Sequence, residues 1–270
     1  GIISTILRKK MTKFGLLATQ YFLFLLIESA FVLTLFVSLT HSTVVNSSEV
    51  VDYSASYTAK YNGIDIKANY SLEYLGNKLF VEKSEAKSLF GKITEEAEFL
   101  LNDTNEIVPQ KYLYRRSLLG VSRKEDQIFH WGNSQVNYTK NGDSRLVPLP
   151  MGTLDMVTHK VQLRRDLKAG NNVFSYLVMS RGKVKTYDYE VIKSEILMTA
   201  LGPLNTTKVR RVVSKDKKRE TVIWMATDWD YLIVKLVHSE KGESHQLDIS
   251  NGQVGGKQIA TAKAIEEKSL

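Results

Sequence analysis

Val51, Tyr53, Ala55, Tyr57 and Ala59 alternate with Asp52, Ser54, Ser56, Thr58 and Lys60. A period of two sends one set to each face of an extended chain, so the segment reads as a half-buried β-strand and not as a helix. Asn62-Gly63 follows, a pair that accepts the positive φ of a two-residue hairpin turn. The alternation then resumes through Ile64, Ile66, Ala68, Tyr70, Leu72 and Tyr74. Gly76-Asn77, Asn141-Gly142, Arg181-Gly182 and Lys241-Gly242 repeat the turn signal between further β-rich runs. The spacing predicts about a dozen strands of an all-β sheet folded on itself. No repeat of fixed sequence is present, which argues against a propeller or solenoid.

One segment breaks this rhythm. After Pro148 and Pro150, Leu154, Val157, Val161 and Leu167 recur at helical spacing, predicting a single amphipathic helix laid against the sheet. Thr153 is placed to cap it, Asp155 to meet the positive end of its dipole, and Arg164, Arg165 and Lys168 the negative end. Gly170 supplies the stop. From Asn251 to Leu270 large apolar residues are few, so a mobile tail is expected, with a short helix near Ala260 to Lys268.

The first 42 residues are of another kind. Arg8, Lys9, Lys10 and Lys13 precede an apolar run from Phe14 to Leu39, the pattern of a signal peptide or an uncleaved signal anchor. The run exceeds the roughly 20 residues that cross a bilayer. Glu28 inside it would cost about 2.5–3.5 kcal/mol in a permanent span, which favours cleavage. Against cleavage, the small-x-small pattern near Thr40 and Ser42 is poor, and both alternatives stand. Met11 is an alternative start. The expected division is a signal or anchor over 1–42, a β-rich domain over 43–250 and a tail over 251–270. With no cysteine, a lipid-anchored form and disulfide staples are both excluded.

Chemistry is harder to find. The five histidines, His41, His130, His159, His238 and His245, lack the close spacing of a metal site, and His159 reads as a solvated position on the helix. Ser-x-x-Lys occurs from Ser84, Ser180 and Ser214 without its partner motifs. Asp228-Trp229-Asp230 lies between two apolar runs, where paired acids make turns. The sequence therefore assigns no catalytic residue, metal or cofactor, and a non-enzymatic protein is expected. Lys208, Arg210, Arg211, Lys215, Lys217, Lys218 and Arg219 form a basic hairpin, from which Arg210, Arg211, Lys217 and Lys218 are candidates for contact with an anionic surface; a charged edge that blocks aggregation is the structural alternative. An exported compartment disfavours nucleic acid. Tyrosines on alternating strand positions mostly fill core, but on an open curved sheet some would line a groove.

Taken in order, Tyr53-Ser-Ala-Ser-Tyr57 with Gly63, Pro109 with Tyr112 and Tyr114, Leu149-Pro150 with Leu154-Asp155, Leu163-Arg164-Arg165, Leu201-Gly202-Pro203-Leu204 and Trp224-Met225-Ala226 through Tyr231 resemble a proteobacterial family of exported proteins of unknown function. The resemblance spans Val50 to Ile249 and departs at Thr227 and Ile233, where the family pattern has prolines. It implies a periplasmic domain, soluble after cleavage or tethered by residues 14–39. By fold analogy with the bacterial lipoprotein carriers it also implies a strongly curved antiparallel sheet, or half-barrel, around the helix. The functional expectation is binding of a lipid or lipoprotein on the concave face, with Tyr57, Tyr70, Leu154, Val157, Val161 and Trp224 as ligand-lining candidates. The alternative is an envelope assembly factor acting through surface protein contacts.

Overall fold

The computed structural model describes residues 49–61, 64–213, 219–240 and 243–260. The apolar run from Phe14 to Leu39, the Asn62-Gly63 and Lys241-Gly242 turns, Lys217, Lys218 and the helix expected near Ala260 lie outside these residues. Among the described residues no helix is long and apolar enough to cross a membrane.

The strands are β1 (Tyr53–Tyr61), β2 (Ile64–Gly76), β3 (Leu79–Ser88), β4 (Gly91–Leu101), β5 (Ile107–Leu118), β6 (Val121–His130), β7 (Gln135–Lys140), β8 (Asp143–Pro148), β9 (Val173–Ser180), β10 (Lys183–Thr199), β11 (Gly202–Val212), β12 (Arg219–Ala226), β13 (Leu232–Glu240), β14 (Glu243–Val254) and β15 (Lys257–Gln258). They form one sheet in the order β8-β7-β6-β5-β4-β3-β2-β1-β14-β13-β12-β11-β10-β9, with β15 added on β14. Every pairing between these strands is antiparallel. Two meanders, β1–β8 and β9–β14, are thus joined where β1 pairs with β14. The ends of the sheet approach each other, since Arg145 on β8 donates to the carbonyl of Gly182, between β9 and β10, at 2.8 Å. The architecture is the expected one: mainly β, one strongly curved antiparallel sheet, one helix.

Local chemistry sets the turns. Asn141 and Gly142 have φ of 51° and 99°, the left-handed pair of a tight hairpin. The turn after β2 falls one residue later than expected, on Asn77 and Lys78, because Gly76 takes up a register shift opposite β3.

The helix, α1, spans Thr158–Lys168. Thr153 does not cap it; its hydroxyl donates to the carbonyl of Pro150. Asp155 does the work instead. Its Oδ1 accepts from the backbone N–H groups of Val157 and Thr158, each at 2.8 Å, while Thr158 Oγ1 accepts from the Asp155 N–H at 2.9 Å. This is a reciprocal capping box with threonine in the far position. Gly170, at φ 88°, ends the helix as expected.

The curved sheet wraps α1 on more than one side. Leu154, Val157, Val161 and Leu167 are buried, but so are Thr158, His159, Leu163, Arg164 and Arg165. A stripe pattern describes a helix lying on a surface; here the opposite side is covered as well. The tail boundary at 250 is corrected too. Asn251 to Val254 complete β14 against the start of β1, β15 folds back, and Ile259 is buried. Gly252 serves close approach, since a Cβ there would sit 2.9 Å from Ile259 Cδ1.

Candidate functional site

Cross-strand partners share a face, so the register defines what lines the concave side. One ladder runs Tyr53–Leu72–Glu82–Ala97–Tyr112–Gln127–Tyr138, and its neighbour runs Ala55–Tyr70–Ser84–Glu95–Tyr114–Glu125. A face that would be apolar in a simple β domain therefore carries three glutamates, a glutamine and several tyrosines. Onto it α1 projects Lys160 and Arg164, which border a cavity of about 50 Å³ together with Tyr53, Tyr57, Tyr70 and Glu82. A second cavity, of about 110 Å³, is bordered by Glu95, Tyr112, Arg123, Glu125 and Gln127.

Burial governs the electrostatics. It pushes the Glu82 carboxyl up to about 7, against the opposing pull of Lys160 and Arg164. It likewise raises Asp155 to about 6, although backbone donation from Thr158 and Val157 favours the anion. His159 is driven down to about 3 by burial and then by the Lys160 charge. For Lys160, burial favours the neutral amine, but Glu95, Tyr70 and Glu82 together outweigh it and hold the ammonium above its ordinary range. The interior is thus a mixed-charge polar core. Gln127 is fully buried, and neither polar atom of its amide meets a protein partner.

Glu82→Gln should change the pH dependence of stability. Below about pH 4.5 both proteins carry a neutral group there in folded and unfolded chains. As pH rises towards 7, the unfolded wild-type chain releases this proton before the folded one does, so wild-type stability falls relative to the variant's, while Asp155 lowers both alike. The gap should level off above pH 7 at about 3 kcal/mol in favour of the variant. His159 acts with opposite sign, its contribution being lost as pH falls below about 6.5, and it cancels in the comparison. Urea titrations of both proteins from pH 4 to 8 check this; parallel profiles would contradict it.

A larger concavity lies chiefly on the other face, though Ala55, Tyr70, Ser84 and Glu95 of the second concave-face ladder also border it. It holds about 700 Å³ and crosses β14, β1, β2, β3, β4 and β5. Two adjacent ladders floor it, Gln253–Ser54–Ser71–Lys83–Glu96–Leu113 and Asn251–Ser56–Asn69–Glu85–Thr94–Arg115. Hydroxyls, amides and charges of both signs alternate there, with one leucine. Small-molecule sites span roughly 300–1,000 Å³, so this groove is ligand-sized and the two inner cavities are not.

The model of a family described as "Protein of unknown function (DUF3108)" matches residues 56–245. The chain belongs to the DUF3108 family. No curated protein sequence matches it. Among solved structures, this DUF3108 chain is similar to a β-barrel-like protein of domain of unknown function DUF1849 from Brucella abortus, with a TM-score of 0.53 at 9% identity, covering 77% of this chain and 99% of that one. That likeness concerns the fold alone. A protein proposed to be exported, with a YmcC-like fold, from Bacteroides fragilis aligns with a TM-score of 0.28 at 10% identity over 77% of this chain and 97% of that one. A domain proposed to sort outer-membrane lipoproteins, from Vibrio parahaemolyticus, gives 0.22 at 8% over 83% and 92%. Both scores are too low for a shared fold to be argued from them.

Of the expected ligand-lining residues, the DUF3108 fold brings only Tyr57, Tyr70 and Val161 to one cavity, although Tyr57, Leu154, Val161 and Trp224 belong to one extended hydrophobic cluster. Tyr57, Tyr70 and Val161 border the 50 Å³ cavity, with the tyrosine rings edge to face at 5.2 Å and the Tyr57 hydroxyl donating to the Ile233 carbonyl. Leu154 forms a parallel bridge with Val178 on β9, and Val157 packs into a cluster with Tyr112, Phe129 and Met179. Trp224 points to the opposite face from Tyr57. It shares that face with its cross-strand partners Lys208 and Lys235, whose ammonium groups lie 4.7 and 5.3 Å from its ring, and its indole N–H donates to Glu195. Arg210 and Arg211 diverge: Arg210 pairs with Glu190, whereas Arg211 turns inward and stacks on Tyr187. His159 is buried and not solvated, its ring nitrogens 3.0 Å from the Tyr189 hydroxyl and the Asp155 carbonyl.

Asp228-Trp229-Asp230 is a turn, as expected. A 3-10 turn over Thr227–Trp229 leads into left-handed Asp230 and Tyr231, and Asp230 binds Arg164 and Lys168. The sequence does carry a signal for the glutamates of the concave face. Phe80-x-Glu82, Glu95-x-Ala97-x-Phe99 and Glu125-x-Gln127-x-Phe129 each place a polar group in phase with a core phenylalanine.

Proposed function

We propose that this chain is a non-catalytic factor of the cell envelope that holds an extended polypeptide segment along the groove of β14 and β1–β5. The space available supports this reading. Helix α1 and its polar neighbours border cavities of about 50 and 110 Å³ on the concave side, while the concavity of about 700 Å³ lies chiefly on the opposite face. An acyl chain also has little to gain beside Glu82, Lys160 and Arg164, where apolar surface would have to displace solvation of charges. The groove's alternating hydroxyls, amides and mixed charges suit a peptide backbone with polar side chains better than a lipid. Placement in the envelope rests on the basic start and apolar run of residues 8–39.

Photo-crosslinking in the producing cells tests the reading. A benzophenone amino acid at Ser71 or Thr94, in the groove floor, should yield discrete protein adducts, whereas one at Lys185, exposed on β10, should not. Equal adducts from all three positions, or lipid adducts alone from the groove, would overturn it.

A further inference from the structure

The tips of the β3–β4 and β5–β6 hairpins are apolar where hairpin tips are ordinarily polar. Leu89 is 86% exposed and Leu119 74%, with Phe90, Leu118 and Val121 also exposed beside them. Scattered exposed leucines are normal, but these form one patch: Leu118 pairs with Val121, and the N–H of Leu119 donates to the Phe90 carbonyl at 3.0 Å, joining the two tips. Leu119 also sits at φ 49°, a left-handed backbone that a leucine adopts at a cost. The same turn between β7 and β8 uses Asn141, the residue suited to that conformation. Position 119 therefore keeps a large apolar side chain against local preference.

Directly behind the patch lies a basic collar. Lys67, Lys87 and Lys92 form a ladder on one face, and Arg116 and Arg123 pair on the other. Glu85 bridges Lys87 and Lys92, and Glu125 meets Arg123, so five cations face two carboxylates. An apolar tip with cations one step behind it matches the profile of a bilayer surface, acyl chains below anionic head groups. We propose that the paired tips insert into an anionic membrane surface, with Leu89, Phe90 and Leu119 entering the acyl boundary and the collar meeting the lipid phosphates. This goes beyond the groove, which lies on one face of the sheet rather than at its rim, and stands whether or not the groove binds a polypeptide.

The absence of cysteine makes a position-specific test available. The full chain carrying Leu89→Cys is labelled with an environment-sensitive fluorophore and mixed with vesicles of phosphatidylcholine alone or with a quarter phosphatidylglycerol. Asp103→Cys, on the opposite rim, serves as the control. On anionic vesicles the label at 89 should brighten several-fold, shift to the blue and be quenched by brominated acyl chains, while the label at 103 stays in water. Adding Phe90→Ser and Leu119→Asn should weaken the response at least tenfold without lowering Tm, because asparagine suits the backbone at 119. A label at 89 that remains in water, that responds equally to neutral vesicles, or that shifts with protein concentration in the absence of lipid would overturn the proposal, the last by showing self-association of the tips.

Discussion

Asp230→Ala is expected to destabilise the fold by about 3–5 kcal/mol, as when one partner of a buried ion pair is removed. Asp230 accepts from Arg164 at 2.9 Å and from Lys168 at 2.7 Å, and the Arg164 side chain is only 7% exposed. Arg164 also lies over the Tyr53 ring at 4.7 Å, so it cannot swing out to water without leaving β1. Without the carboxylate the buried guanidinium keeps the Asp230 carbonyl at 3.1 Å but loses its paired anion. Part of the loss comes from the backbone, because Asp230 is left-handed and alanine resists that conformation. Asp230→Asn separates the two effects: it tolerates the turn and keeps an acceptor, so about 2 kcal/mol is expected from charge alone. Combining it with Arg164→Met should recover most of the loss. Urea denaturation of the four proteins, followed by tryptophan fluorescence, measures each term. A loss below about 0.5 kcal/mol for Asp230→Ala, the range of an ordinary surface change, would show that this contact does not pin α1 to the sheet.

Phe99→Ala should cost about 3–5 kcal/mol for a different reason. Phe99 is fully buried on β4 and stacks on Phe80 across the β3–β4 pair, with ring centroids 5.4 Å apart and planes 9° from parallel. Removing the ring leaves a cavity that two adjacent strands, fixed by their hydrogen bonds, cannot close. Leu89→Ala, at the tip of the same hairpin, should change stability by no more than about 0.5 kcal/mol. The contrast separates apolar residues that hold the fold from apolar residues kept for another purpose. Thermal or urea unfolding of the two variants side by side reads it directly, and comparable losses would argue against an exposed role for Leu89.

The strands were legible because alternation along one chain records the two faces of a sheet, and Asn141-Gly142 and Arg181-Gly182 mark turns for a backbone reason that does not depend on tertiary context. Of the expected helix stripe, Val161 and Leu167 lie on α1 and were legible for a similar cause, whereas Leu154 and Val157 precede the helix and Leu154 bridges β9 instead. What alternation does not encode is how far the sheet curls. His159 reads as solvated because a helix on a flat sheet has a wet side, and here the sheet returns over it. Trp224 was misplaced because Val222, Ile223, Trp224, Met225 and Ala226 are all buried. A run with both faces covered has no phase to read, and a register shift at Trp224–Met225 obscures it further. The tail was missed because Gly252, Gly255 and Gly256 read as flexibility, whereas Gly252 permits Ile259 to pack. The groove was invisible to single-strand reading, since its floor is composed only when six strands are set in register.

The join between β1 and β14 has a consequence for how the chain is made. Tyr53 pairs with Val254, so the middle of the sheet is assembled from opposite ends of the domain. As a nascent chain emerges, β1–β8 can zip hairpin by hairpin, each closure short and cheap in entropy. β1 nevertheless keeps an open edge until β14 arrives, after every other long strand. During translation the centre of the sheet is its last part to be completed, and the groove floor that depends on Asn251 and Gln253 comes into being only then. A ribosome stalled before β14 would present a sheet with an unpaired edge at Tyr53–Tyr61, the segment most in need of cover while it waits.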